Sequence, residues 1–176
     1  HNGTLVIDDI EDSSEVRRGK PCTYKIYGND IAINAGNAMY YLPLLPLMVN
    51  RNRLSSEAQR DVYEIYVQEM INLSMGQAMD ITWHRGIANA DTLSEQDYLQ
   101  MCAYKTGTLA RMAAKMAAVL SGADGKLVEK LGRLAESIGV AFQMQDDILD
   151  LTGEEFAKKK GGLGGDISEG KRSLLV

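Results

Sequence analysis

The chain holds 176 residues, 45% of them hydrophobic and 24% charged, which suits one globular domain with a buried core. Lys and Arg number 19 against 24 Asp and Glu, for a net charge of −5, and that balance argues against the broad basic footprint of a nucleic-acid binder. Mean hydropathy is −0.20. Every apolar run is broken by a charge before the roughly 18 residues of a membrane span, and no basic-then-apolar leader opens the sequence.

The first ten residues read as the inside of a helix, which should stop near Arg18-Gly19-Lys20-Pro21. An Ala/Met/Tyr/Leu-rich helix is predicted from Asp30 to about Asn50, with Pro43 and Pro46 kinking or breaking it. Ser55-Ser56-Glu57 marks the start of a long helix to about Trp83, and His84 to Thr92 is a loop. Ser94 caps a further helix running to about Leu120. Ser121 to Gly125 is a turn, Lys126 to Leu151 is helical, and Gly161 to Gly165 is a flexible loop before a last helix start. No segment alternates with period two, so no sheet is expected. The fold class is all-α, an antiparallel helical bundle forming a single domain over residues 1–176. Residue 1 is His inside a helical pattern, and Ser173-Leu174-Leu175-Val176 stops within an apolar run. The sequence therefore reads as the central part of a longer chain, with N- and C-terminal helices missing. Cys22 and Cys102 lie far apart with no CxxC, which supports neither a disulfide nor a zinc site and suits a reducing, cytoplasmic setting.

Two acidic clusters carry the chemistry. In Asp8-Asp9-Ile10-Glu11-Asp12, Asp8 and Asp12 fall one helical turn apart on one face. Asp146, Asp147 and Asp150 repeat the arrangement between Phe142-Gln143-Met144 and Ile148-Leu149. Like charges at this spacing repel, and burying them among apolar neighbours costs more still, so something must offset the charge. Mg²⁺ does so with oxygen ligands, and it joins carboxylates to phosphate oxygens. The basic residues a diphosphate needs are also present: Arg17 and Arg18 after the first cluster, Lys105 beside Thr106, and Lys171-Arg172 after the glycine-rich stretch. Gln77 and Asp80 are polar positions on the long apolar helix.

These strings, in this order, closely resemble the trans-isoprenyl diphosphate synthases: Asp8 to Asp12, Arg17-Arg18-Gly19, Gly76 to Asp80, Lys105-Thr106 and Phe142 to Asp150. The stretch from His1 to Asp12 looks most like the geranylgeranyl type. The resemblance implies the isoprenoid synthase fold, a helical bundle around a central cavity, and usually a homodimer. It implies a Mg²⁺-dependent prenyltransferase that joins an allylic diphosphate (dimethylallyl, geranyl or farnesyl) head-to-tail with isopentenyl diphosphate. Asp8, Asp12 and Asp146 would ligate Mg²⁺, with Asp9, Asp147 and Asp150 as supporting ligands or partners of the ligands. Arg17, Lys105 and Lys171 would hold the allylic diphosphate, with Arg18, Gln77 and Asp80 also on the substrate side. Thr106 and Gln143 would lie beside the cation, and Phe142 would pack on the isopentenyl group. A lysine near a Gly-x-Asp turn, with Lys160 the nearest candidate, would complete the set.

The chain-length reading starts from Asp8. The residues four and five before it, Thr4 and Gly3, are both small, whereas shorter-chain members of the family place bulky aromatics there. By the same resemblance Tyr40 and Tyr41 would cap the tunnel deeper and give a geranylgeranyl product. Rival readings are a longer- or shorter-chain synthase, a class I terpene cyclase, a non-catalytic partner subunit, or a Ca²⁺-binding bundle. The cyclase usually lacks a second full aspartate motif, the non-catalytic subunit would be expected to lose acidic ligands, and the Ca²⁺ bundle would lack the basic set.

Overall fold

The computed structural model describes residues 1–153 and 163–174, leaving aside the side chain of Ala90. The lysine run ending in Lys160, and Gly161-Gly162 after it, lie outside the described residues. Among the described residues the chain is overwhelmingly helical, and no helix is long and apolar enough to cross a membrane. The chain forms two compact units: residues 1–50 with 148–169, and residues 51–147 with 170–176.

The first unit opens with α1 (Asn2–Glu11), which packs on α3 (Asn29–Tyr41). Two glycines let these helices approach. A Cβ on Gly3 would come within 2.7 Å of Met39 Cβ and 3.0 Å of the Gly36 carbonyl, and one on Gly36 would meet Ile7 Cδ1 at 2.7 Å. Helix α1 does not run on to Arg18 as expected. Ser13 takes φ 56°, its N–H donates to the Ile10 carbonyl, and the Ser14 N–H donates to the Asp9 carbonyl. That is a Schellman ending, here with serine in the left-handed position.

The expectation of no sheet is also corrected. Val16–Arg17 (β1) pairs antiparallel with Lys20–Pro21 (β2), joined through Arg18 at φ 55° and Gly19 at φ 75°. Positive φ at both central residues is the signature of the tightest hairpin turn, and strands of two residues are too short to display any period. The five-residue helix α2 (Thr23–Tyr27) leads into α3. As expected, the prolines break the helix predicted to reach Asn50: α3 ends at Tyr41, a 3₁₀ turn covers Leu42–Leu44, and α4 is Leu45–Val49 with Pro46 in its first turn.

The second unit is built on α5 (Ser56–His84), whose cap Ser55 accepts a hydrogen bond from the Ala58 N–H at 3.1 Å. After the loop, which holds a 3₁₀ turn at Ala90–Thr92, Ser94 and Asp97 form a reciprocal capping box on α6 (Glu95–Cys102). The helix expected to run unbroken to Leu120 is interrupted by a π turn, Ala103–Gly107, before α7 (Thr108–Leu120). A turn through Gly122 (φ 77°) leads to α8 (Gly125–Thr152), which runs into the first unit at Ile148. Trp83, Tyr98, Met101 and Cys102 form a buried cluster, with Met79, Leu93 and Val140 packed against it. In the first unit, the Asp150 carboxylate accepts the Asp166 N–H at 3.1 Å at the start of the short helix α9 (Gly165–Glu169). Gly165 therefore opens a helix, where the sequence suggested loop.

Both cysteines are free and buried, Cys22 at 1% exposure and Cys102 at 0%. Burial, helped by the Asp9 charge at Cys22 and the Asp147 charge at Cys102, pushes each thiol from 9.0 up to about 11. Native protein at pH 8 should leave an aromatic disulfide reagent unconsumed over minutes, while denatured protein should titrate both thiols. A thiol raised in the folded state stabilises it below the unfolded value and loses that contribution as pH climbs from about 9 through about 11. Rapid native labelling would contradict this.

Candidate active site

The first acidic cluster sits at the C-terminal end of α1, where no basic residue balances it within the helix. The hairpin supplies the missing charge. Arg17, on β1, donates from Nε and Nη2 to Asp9 Oδ1 at 2.8 and 2.5 Å, and its Nη2 lies 3.7 Å from Asp8 Oδ2. Burial opposes the Arg17 charge, but the hydrogen bond and charge of Asp9 outweigh it and hold the guanidinium pKa above its usual value. Asp9 is 3% exposed. A buried carboxylate with a guanidinium on it is an anchor, whereas Asp8 and Asp12 are half-buried one turn apart, with the Asp12 N–H on the Asp8 carbonyl at 2.9 Å. Arg18 is exposed at the hairpin tip.

Of the chain-length candidates, Gly3 is buried at the α1–α3 contact, so packing against α3 is itself a reason for its small size. Tyr40 lies beside it, its ring carbon 3.4 Å from where a Gly3 Cβ would stand. Burial, then the charges of Glu11 and Asp8, push the Tyr40 hydroxyl up to about 12. Thr4 donates to the His1 carbonyl at 2.6 Å, and Tyr41 is 70% exposed.

In the second unit two close backbone approaches set the geometry. A Cβ on Gly76 would lie 2.3 Å from the Lys105 nitrogen and 2.7 Å from the Tyr104 carbonyl carbon, so only glycine lets α5 meet the π turn. On the other side Gly107 and Gly139 meet, a Gly139 Cβ falling 2.6 Å from Gly107 Cα. The result turns two neighbouring side chains to different partners. Lys105 Nζ pairs with buried Asp80 on α5, and the Thr106 hydroxyl donates to Gln143 Oε1 on α8 at 2.7 Å. Asp80 pairs with Lys105 across helices.

Gln143 also donates from Nε2 to Asp147 Oδ1 at 2.9 Å, and Tyr98 donates its hydroxyl to Asp147 Oδ2 at 2.5 Å. Asp147 is buried and Asp146, one position before it, is half-buried. Asp150 is 1% exposed and holds α9. Phe142 is 61% exposed, and Lys171 and Gln77 are half-buried. Lys160 lies outside the described residues. Sequence reasoning missed Tyr98. Its signal is the spacing Tyr98, Met101, Cys102, which points the phenol inward, where a buried hydroxyl needs an acceptor.

The donor chemistry fits a hard divalent cation. Asp8, Asp12 and Asp146 offer carboxylate oxygen alone, and they are the less buried aspartates of each cluster. The deeper ones, Asp9, Asp147 and Asp150, are held by protein groups.

Helices carrying two aspartate motifs, with a lysine-threonine π turn, define an all-α protein of the isoprenoid synthase type. The chain belongs to the polyprenyl synthetase family, whose pattern it matches over residues 1–176. It is 36% identical over 176 residues to a geranylgeranyl pyrophosphate synthase of Macrophomina phaseolina, covering all of this chain and 50% of that relative. It is similar to the crystal structure of a geranylgeranyl pyrophosphate synthetase from Pyrococcus horikoshii, with TM-score 0.81 and 34% identity, over 100% of this chain and 52% of that one. It also resembles a polyprenyl synthase from Caulobacter crescentus complexed with calcium and isoprenyl diphosphate, with TM-score 0.82 and 30% identity, over 99% and 49% of the two chains. The chain thus spans about half the length of the relatives it matches.

Proposed function

We propose that this chain carries the catalytic part of a trans-prenyltransferase that extends an allylic diphosphate with isopentenyl diphosphate, giving chiefly the twenty-carbon geranylgeranyl product. The single observation that carries the reading is the π turn. It aims a cation, Lys105, and a hydroxyl, Thr106, from adjacent positions at partners on two different helices, Asp80 and Gln143. A group that must grip a departing anion and another that must face a developing cation need that divergence. Arg17, Lys105 and Lys171 bind the allylic diphosphate, while Arg18 binds isopentenyl diphosphate. Asp8, Asp12 and Asp146 hold Mg²⁺, which when bound neutralises charge on the leaving diphosphate. Calcium and an isoprenyl diphosphate in the Caulobacter relative support this assignment. The diphosphate leaves, the isopentenyl double bond attacks the allylic carbon, and a proton is lost, leaving a chain five carbons longer. Thr106 and Gln143 present oxygen to the positive charge, and apolar walls with Phe142 keep water away from it. The working enzyme is a soluble, cytoplasmic homodimer.

Isopentenyl diphosphate labelled with carbon-14, supplied with dimethylallyl, geranyl or farnesyl diphosphate and Mg²⁺, tests the reading. The expected outcome, after dephosphorylation and chromatography, is a dominant C20 alcohol. Absence of any elongated product, or a cyclised hydrocarbon, would overturn the assignment. A dominant C15 alcohol would overturn the chain-length argument alone. Thr4→Phe should shorten the product, whereas Tyr41→Ala should lengthen it. An unchanged distribution in both would place the tunnel elsewhere.

A further inference from the structure

Asp147 stands in the middle of the second aspartate motif, yet both its carboxylate oxygens are engaged by protein groups, Tyr98 on one and Gln143 on the other. With the bond from Thr106 to Gln143, these make one chain of hydrogen bonds: Tyr98 on α6, Asp147 and Gln143 on α8, Thr106 in the π turn. Each bond in the chain has a defined donor and acceptor. Tyr98 is 5% exposed. Its hydroxyl donates to Asp147 Oδ2 at 2.5 Å, the acceptor a buried phenol needs. Gln143 Nε2 donates to Asp147 Oδ1 at 2.9 Å, so the amide turns its NH₂ end to the carboxylate. The Gln143 carbonyl must then face Thr106, which spends its only hydroxyl hydrogen there and keeps its lone pairs for the opposite side. Were the amide reversed, Thr106 would have to accept from the NH₂ and could turn its hydrogen outward.

We propose that Tyr98 is a positioning residue for prenyl transfer: by holding Asp147 it locks the Gln143 amide so that Thr106 turns oxygen lone pairs toward the reacting carbon. The proposal rests on the prenyl-transfer reading of this site. The reaction develops positive carbon, and an oxygen lone pair stabilises that charge where an O–H dipole would oppose it. Tyr98 itself touches neither substrate diphosphate in this scheme, so its removal should leave binding alone.

Tyr98→Phe deletes one hydroxyl and keeps the ring. Expected is a fall in kcat of about tenfold, the order that losing one charge-assisted hydrogen bond produces, with KM for both diphosphates and the Mg²⁺ requirement unchanged. In a Gln143→Ala background the same substitution should change kcat by less than about twofold, because its route to Thr106 is gone. A readout independent of turnover is the pair of Gln143 side-chain NH₂ signals, identified by their loss in Gln143→Ala. Their exchange with water should be slow in the wild type and faster in Tyr98→Phe. Equal kcat losses in both backgrounds, or a raised Mg²⁺ requirement, would overturn the proposal, as would unchanged amide exchange. A wild type that elongates no substrate would overturn the prenyl-transfer reading instead, and the amide exchange would still decide whether Tyr98 locks Gln143.

Discussion

Asp8→Asn and Asp146→Asn are each expected to lower turnover by about two to three orders of magnitude, the cost of removing one preorganised charge from a site of this kind. Both substitutions keep side-chain shape and remove an anion. Asp8 is 3.7 Å from Arg17, and the Asp9 carboxylate keeps the shorter bonds to that guanidinium, so the fold should hardly notice the change. Thermal melts should therefore stay within a few degrees of the wild type while steady-state rates collapse. Asp9→Asn should behave differently. It weakens the buried partner of Arg17, and destabilisation should accompany any loss of rate. A set in which all three variants lost stability equally, or in which Asp8→Asn kept wild-type turnover, would contradict the division between ligands and anchors.

Gly76→Ala should be among the most damaging single-methyl changes in the second unit. In an open helix this substitution stabilises by about 1 kcal/mol, because alanine is the better helix former. Here the added Cβ would stand 2.3 Å from the Lys105 nitrogen and 2.8 Å from Tyr104 Cβ. Two of its nearest neighbours are backbone atoms, so the π turn itself must move. Overpacking of this sort costs about 1–3 kcal/mol, or a drop of about 2–12 °C in melting temperature for a domain of this size. Displacing Lys105 and Thr106 should reduce kcat as well. Gly125→Ala is the control: nothing lies within 4 Å of its added Cβ, so the melting temperature should hold or rise. A Gly76→Ala variant as stable and active as the wild type would mean that the contact is not rigid.

The two aspartate motifs, Lys105-Thr106 and the long helices were legible because they are local: spacing along a helix, proline punctuation at Pro43 and Pro46, caps at Ser55 and Ser94. The features hidden from a linear reading depend on partners far along the chain or on rare backbone conformations. The early end of α1 rests on Ser13 adopting a positive φ that serine seldom takes, and the hairpin after it is too short to leave a pattern. The π turn follows from Gly76 and Gly139, which in a linear reading look like weak points in helices rather than seats for another backbone. Tyr98 reads as a core aromatic until Asp147, 49 residues away, is found on its hydroxyl. The same distance effect split each acidic cluster. In the sequence Asp9, Asp147 and Asp150 look like their neighbours, and only the fold gives them Arg17, Tyr98 with Gln143, and the Asp166 N–H as partners.

If the carboxylates take a diphosphate only through divalent metal ions, titration calorimetry of inorganic diphosphate into the wild-type protein tests that dependence most directly. With millimolar Mg²⁺, saturable binding is expected, and Asp8→Asn and Asp146→Asn should each weaken it. In excess EDTA no binding should be measurable. Diphosphate binding undiminished in EDTA would contradict the role given to the two aspartate motifs.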